Sequence, residues 1–422
     1  MGTANAGAKP GGSELIPIRL PVWWTFGGLV AGLALGTMLA GSDLLTRIVP
    51  VTDVVGQMWL RALQMTIIPL VASLLVLGIA KLVGAASAGA VARRMLMLVV
   101  AVLLLSGLST ALLMPLLLAA FPPPEAARAL LDTGSVAAQE VPGLADFITS
   151  LIAPNVVAAA AQTAMLPLTV FFALFAVAAA RLPESQRDTL LAFFLALANA
   201  MLTLIGWVLW IAPVGVFALG IGVAAQAGGG AFATFLHYIM AVTMMGTVVF
   251  LGAYLLAWIG GRIAPHRFAR AMVPAQAVGF STQSSLASLP AMLASARRLG
   301  LRDSTADFAL PLAVAIFRAT SPAMNMAVAI YVATLAGVEL TPMVLAAGIA
   351  VAFVISIGSV SLPGSISFVI SIGPIALAMG VPVEPLALLV AVEMLPDIMR
   401  TLGNVTMNVA VAATLDQVQS ED

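Results

Sequence analysis

The sequence contains no cysteine, which removes disulfides, thiolate metal sites and cysteine nucleophiles from consideration. Its histidines, His237 and His266, number only two, too few for the usual zinc cluster. Charge is scarce: 9% of the 422 residues are Asp, Glu, Lys or Arg, where a soluble domain has roughly 25%. The 18 basic and 18 acidic residues cancel, so no electrostatic footprint of a nucleic-acid partner is present. The N-terminal stretch is polar and Gly-rich, with Lys9 and Arg19 ahead of the first apolar run and no A-x-A cleavage site. It reads as leading into an uncleaved first helix rather than as a signal peptide.

What fills the chain is hydrocarbon. Hydrophobic residues make up 62% of it and the mean hydropathy is +1.11. A bilayer core needs about 20 apolar residues per helix, and runs of that kind occur near 22–40, 57–82, 95–120, 147–180, 190–223 and 234–260. Arg47 and Asp53 read as marking a break between the first two spans. Alternate loops are basic: Lys81, Arg93 and Arg94, then Arg181 and Arg187, then Arg262, Arg267 and Arg270. Loop 121–146 instead holds Glu125, Asp132, Glu140 and Asp146 against Arg128 alone. The bias of basic residues toward the cytoplasm then places the N-terminus and loop 262–270 inside the cell.

Beyond residue 270 the pattern changes. "AQAVGFSTQSSLASLPAMLASA" is apolar at each end with a Ser/Thr/Gln cluster at its centre, and "VAFVISIGSVSLPGSISFVISIGPIAL" has Gly, Ser and Pro there. Each suits two half-helices that dip into the membrane and return. Non-helical backbone at membrane depth is tolerated only inside protein or beside a water-filled cavity. Two such segments in corresponding places point to a transporter's binding site. The plainer reading is two ordinary helices with small-residue packing faces.

The segment "EMLPDIMRTLGN" (393–404) puts acids and an arginine into one of these apolar stretches. Glu393, Asp397, Arg400, Asn404 and Asn408 are spaced to share one helical face, with Pro396 expected to kink the helix and free a carbonyl. A charge at mid-bilayer costs about 2.5–3.5 kcal/mol on the lenient insertion scale, so the stripe must face protein or water. Arg318 is the other charge deep in an apolar run, and Arg318 and Arg400 balance Glu393 and Asp397. A purely structural ion-pair network is one reading, but such networks seldom outperform packed hydrocarbon. A ligand site is the other: Arg offers a planar fork for a carboxylate, and an Asp one turn away suits an ammonium. Those groups suit a small zwitterion or anion.

The C-terminal part resembles the dicarboxylate/amino acid:cation symporters, the family of glutamate transporters. "STQSSLASLP" (281–290) is similar to their serine-rich first hairpin tip, "SIGSVSLPGS" (356–365) to their second, and "DIMRTLGNV" (397–405) to their last-helix motif. "MTIIPLVASLLVLGIAKL" (65–82) and "APVGVFAL" (212–219) extend the resemblance over most of the chain. It implies an all-α polytopic membrane protein with eight transmembrane helices and two re-entrant hairpins, working as an elevator and assembled as a homotrimer. The implied layout is a cytoplasmic tail (1–21), scaffold helices 1–2 (22–82), transport-domain helix 3 (93–120), scaffold helices 4–5 (146–223), and a transport domain over 234–413. In that domain, helix 6 precedes hairpin 1 (about 271–297), helix 7 (about 304–335), hairpin 2 (about 342–378) and helix 8 (about 383–413), with 414–422 a cytoplasmic tail. The implied location is the inner, cytoplasmic membrane, with both termini cytoplasmic. Carried over residue by residue, Arg400 would bind the substrate's side-chain carboxylate and Asp397 its amino group. Thr401, Asn404, Ser284, Ser285 and the backbone around Val360, Ser361, Pro363 and Gly364 would complete the pocket. Asp397 favours an acidic amino acid, aspartate or glutamate, over a C4-dicarboxylate, which has no ammonium.

The chain departs from the family where sodium is bound. Phe317 and Ala319 stand where an Asn and an Asp are expected in helix 7, and Asn408 replaces an Asp in helix 8. "MNM" (324–326) could pass for the missing motif, but only with an eight-residue shift. Arg318 adds a fixed positive charge, and a like charge at ~6 Å in an effective dielectric of 20 costs a cation roughly 3 kcal/mol. The guanidinium of Arg318 is therefore expected to supply the charge that sodium supplies in relatives, unless it merely pairs or snorkels. Glu393 is the first choice of proton carrier, because desolvation disfavours its charged form, with uniport or exchange the second. No cofactor or resident metal is expected. Among other classes, an intramembrane protease lacks a Gly-x-Ser-x-Gly and any histidine in the polar C-terminal part. An anion conductance can coexist with transport. A neutral substrate would leave Arg400 unpaired.

Overall fold

The computed structural model describes residues 22–86, 89–130, 149, 151–227, 230–358 and 364–421. Every regular element among them is helical. The chain opens with α1 (Val22–Met38), α2 (Asp43–Gln64), α3 (Ile67–Ala86) and α4 (Ala90–Ala120), and a 3-10 turn at Glu125–Leu130 follows. Next come α5 (Val156–Ala161), α6 (Met165–Ala179), α7 (Glu184–Trp210), α8 (Ala212–Ala227) and α9 (Ala231–Ile259). Among the described residues, five helical stretches are long and apolar enough to cross a membrane: Asp43–Gly84, Ala90–Ala120, Glu184–Trp210, Ala231–Ile259 and Asp303–Ala336.

Three of the spans read from the sequence are divided. The run 57–82 belongs to α2 and α3, which meet at a turn over Met65 and Thr66. Arg47 and Asp53, expected in a break, lie inside α2. A helix that is apolar on one side and charged on the other has too mixed a composition for a hydropathy window to find it. The run 147–180 holds α5 and α6, and the run 190–223 is split at Ile211, just before Pro213. A proline can sit in the first turn of a new helix but not in the interior of an old one.

α1 packs lengthwise on α8 through Gly28, Gly32 and Gly36. A Cβ on Gly28 would run into the backbone of Pro213, and one on Gly32 into that of Phe217. Small residues four apart let two helices in lipid approach backbone to backbone, where dispersion is strongest. Trp59 of α2 closes the same face, its Nε1 donating to the Val208 carbonyl at 2.9 Å.

The C-terminal half holds two pairs of neighbouring helices. α10 (Pro265–Thr282) and α11 (Leu289–Leu299) pack on each other and join through residues 283–288, with Gln283 at φ 49. α14 (Pro342–Gly358) and α15 (Gly364–Ala378) form the second pair, and their junction lies outside the described residues. Between the pairs run α12 (Asp303–Ile316) and α13 (Thr320–Ala336), interrupted at Phe317, Arg318 and Ala319. The chain ends with the single turn α16 (Leu386–Leu389) and the long α17 (Met394–Glu421). α17 continues past 413, so most of the expected tail is helix, tied down where Arg302 Nε meets Asp416 Oδ1 at 2.9 Å. From Thr320 to Ala333 every residue of α13 is buried, as is nearly all of α17 from Arg400 to Leu415. Helices buried all round form the centre of a bundle, and the polar residues of α17 therefore face protein.

Candidate functional site

The site forms where the break in the α12–α13 span meets the first turns of α17. That break exposes backbone groups, and side chains from two other helices meet them. Ser106 Oγ of α4 donates to the Ala319 carbonyl at 2.6 Å. The Thr320 N–H donates to Asn404 Oδ1 at 3.0 Å, and Thr320 Oγ1 lies 2.8 Å from the same oxygen and 3.0 Å from the Arg400 carbonyl. Asn404, expected as a pocket residue, thus also clamps the interrupted helix to α17. Gly403 makes this approach possible, since a Cβ there would strike Thr320 Cγ2.

Arg400 is buried with 4% of its surface exposed, and each guanidinium nitrogen has a partner. Nη1 donates to Asn325 Oδ1 at 2.7 Å, Nη2 to Glu393 Oε1, and Nε lies 3.2 Å from Asp397 Oδ1. A carboxylate brought to this guanidinium would therefore compete with an internal group. The competitor chemically closest to it is Glu393.

Glu393 is fully buried but stands in the turn before α17 rather than on its regular face. Its carbonyl accepts the Asp397 N–H at 2.9 Å. Pro396 correspondingly falls in the first turn, where an N–H has no intrahelical partner to lose. The Val392 carbonyl that a kink was expected to free accepts the Leu395 N–H at 3.1 Å. Periodicity assigns the face correctly for Asp397, Arg400 and Asn404; the position of the helix start is hidden by the apolar run "LALLVAV" before it.

Arg318 is half-buried in the break. It feels both Asp397 and Arg400 electrostatically, without an ion pair to any described residue within 4.0 Å. Asp397 thus stands between two cations. Phe317 and Ala319, at 1% and 0% exposure, line the break with a ring and a methyl. Asn408 is fully buried, and neither its amide nitrogen nor its oxygen has a partner. These positions offer one neutral oxygen and no carboxylate, an ill fit for sodium. Replacing an unsatisfied buried amide by an apolar side chain of the same shape is expected to be neutral or stabilising by about 1 kcal/mol. Asn408→Leu should therefore unfold no more readily than the parent in detergent, with transport retained. Loss of transport would make Asn408 a working ligand.

The remaining expected residues fall around this centre. The tip of the first pair abuts the start of α17, where Gln283 Nε2 donates to the Met394 carbonyl at 3.4 Å. Ser284 and Ser285 are half-buried there. Ser284 Oγ accepts the Ala287 N–H at 3.2 Å, and its carbonyl accepts Ser288 Oγ at 2.8 Å. Thr401 is buried against α10 at Gly279. Val360, Ser361 and Pro363 lie outside the described residues, and Gly364 opens α15.

Sequence reasoning passes over Asn325, Tyr238 and Ser106. Asn325 sits in the "MNM" stretch that matches the sodium motif only out of register, although a lone Asn in a helix buried all round is a signal in itself. Tyr238 stands beside Glu393 from α9, close enough to interact electrostatically. Neither the Tyr238 hydroxyl nor Glu393 Oε2 has a partner at normal hydrogen-bond length and angle.

Residues 22–418 match the profile of the sodium:dicarboxylate symporter family. The proton/glutamate-aspartate symporter of Escherichia coli (strain K12) is 25% identical over 399 residues, 92% of this chain and 90% of the relative. The proton/sodium-glutamate symport protein of Bacillus subtilis (strain 168) is 25% identical over 402 residues, covering 93% and 91%. The neutral amino acid transporter A of Bos taurus is 27% identical over 430 residues, covering 90% and 79%.

Proposed function

The chain belongs to the sodium:dicarboxylate symporter family, and from that premise we propose that it carries an acidic amino acid, aspartate or glutamate, across the cytoplasmic membrane with protons in place of sodium. Membership makes it an integral membrane symporter rather than an enzyme. The proposal extends to a homotrimer whose transport domain moves as an elevator, with both termini cytoplasmic.

The observation that carries the reading is the occupied guanidinium of Arg400. A charged Glu393 holds Nη2 and repels a second carboxylate. Once protonated, it holds Nη2 weakly, and the substrate's carboxylate can take that nitrogen. Proton and substrate then load together because each removes the obstacle to the other, the thermodynamic content of symport. Asp397, flanked by Arg318 and Arg400, takes the ammonium group. A neutral side chain would free no partner for Arg400, which argues against the substrate class named for the bovine relative.

Sodium finds no carboxylate at Phe317, Ala319 or Asn408, and the charge of Arg318 is already in place. The test is Glu393→Gln in proteoliposomes loaded at alkaline pH. Uptake of labelled aspartate driven by the pH gradient is expected to fall by about tenfold or more, while exchange at equal pH persists. Unchanged pH-driven uptake would remove Glu393 from the mechanism.

A further inference from the structure

Glu393 is fully buried, so a proton bound for it needs a route. Three aromatic side chains lie between it and the end of the bundle. His237, in the second turn of α9, is half-exposed. Its Nε2 lies 3.1 Å from the carbonyl of Phe121 at the end of α4, and its Nδ1 lies 3.1 Å from the hydroxyl of Tyr331 on α13. Tyr331 meets Tyr238 edge-on with ring centroids 5.4 Å apart, and both are fully buried. Tyr238 stands beside Glu393 with its hydroxyl within reach of the carboxylate, although neither it nor Glu393 Oε2 has a partner at normal hydrogen-bond length and angle. Two buried oxygens without a well-formed hydrogen bond are costly in a packed interior, and proton transfer gives them a use.

We propose that His237, Tyr331 and Tyr238 form the entry route by which the coupling proton reaches Glu393. This rests on the proton-coupled reading above. A backbone carbonyl only accepts, so Nε2 of the neutral imidazole carries the hydrogen and Nδ1 accepts from the Tyr331 hydroxyl. A proton arriving from the aqueous side can add only at Nδ1, the ring nitrogen without a hydrogen, and Nδ1 then becomes a donor. The Tyr331 hydroxyl must then turn and offer its hydrogen inward, toward Tyr238. Tyr331 takes the proton from Nδ1 and passes its own to Tyr238 through a bridging water molecule, since the Tyr238 hydroxyl has no direct partner. Tyr238 passes its own to Glu393 Oε2. One proton enters, one carboxylate is neutralised, and the imidazole returns to its starting form.

Among the described residues, the charged groups around the route are few. Glu393 faces Arg400 and Asp397 of α17, with Arg318 beyond them. Near His237, Glu125 and Arg128 of the 3-10 turn are exposed and make no hydrogen bond to it. α8 has no charged residue. Arg93 and Arg94 of α4, His266, Arg267 and Arg270 of α10, and Asp416 of α17 lie at the opposite, basic end. The route opens on the side away from the basic loops, the side from which an uptake system draws protons.

The experiment uses the full chain in proteoliposomes with labelled L-aspartate, in two assays: uptake driven by an inside-alkaline gradient, and exchange at equal pH. His237→Gln, Tyr331→Phe and Tyr238→Phe are each expected to reduce gradient-driven uptake about tenfold and leave exchange within about twofold. Because the groups act in series, His237→Gln combined with Tyr238→Phe should be no worse than either alone. Gradient-driven uptake at the parent level in His237→Gln, or equal losses in both assays, would overturn the route. Should buried Tyr238→Phe fail to fold, half-exposed His237→Gln decides between the outcomes. A parent protein that ignores the pH gradient would end the proton-coupled reading and the route with it; a responsive parent with responsive variants ends the route alone.

Discussion

Arg400→Ala is expected to abolish aspartate uptake. Truncating one member of a buried, hydrogen-bonded charge pair costs about 2–5 kcal/mol, and at 1.4 kcal/mol per factor of ten the middle of that range is a loss of several hundredfold in affinity. The loss has two sources that can be separated. The substrate's carboxylate loses its fork, and Glu393 and Asp397 lose the cation that compensates them in a dry interior. Breaking a buried pair on one side alone destabilises by about 3–5 kcal/mol. Arg400→Ala should therefore also unfold at a lower temperature than the parent. Adding Glu393→Gln, which removes one uncompensated acid, should recover part of the stability and none of the transport. Binding of labelled aspartate and thermal unfolding of both variants in detergent check this. Saturable uptake by Arg400→Ala at parental affinity would show that the carboxylate is held elsewhere.

Arg318→Ala carries the second large effect. Arg318 lies in the break between α12 and α13 and attracts Asp397. An opposite charge at ~6 Å in an effective dielectric of 20 is worth about 3 kcal/mol, or roughly a hundredfold in an equilibrium constant. Without it, Asp397 answers to Arg400 alone, and the break loses its positive charge. Sodium-free uptake is expected to fall by about one to two orders of magnitude. Added sodium should not restore it, because Phe317 and Ala319 still provide a ring and a methyl where oxygens are needed. Parental uptake by Arg318→Ala, or rescue by sodium, would contradict the assigned role.

Much of this is legible in the sequence, and the exceptions have physical reasons. Charges in an apolar run are so costly that Arg318, Glu393, Asp397 and Arg400 stand out at once, and the structure gathers them. The helix pairs are visible because clusters of Ser, Gly and Pro interrupt otherwise apolar runs. Boundaries are harder. The mixed composition of α2 hides Arg47 and Asp53 inside a helix, and Pro396 reads as a kink because nothing local marks where α17 begins. Least legible are groups whose role depends on tertiary contact. Asn325, Ser106 and Tyr238 are ordinary polar residues in apolar helices, and only packing brings them to Arg400, Ala319 and Glu393.

The central claim is that a fixed guanidinium replaces a borrowed metal ion. Its most direct test is initial-rate uptake of L-aspartate into proteoliposomes with sodium and proton gradients imposed one at a time. The account predicts full uptake in choline buffer under an inside-alkaline gradient, with no stimulation when sodium replaces choline. Uptake that collapses without sodium and ignores the pH gradient would contradict it.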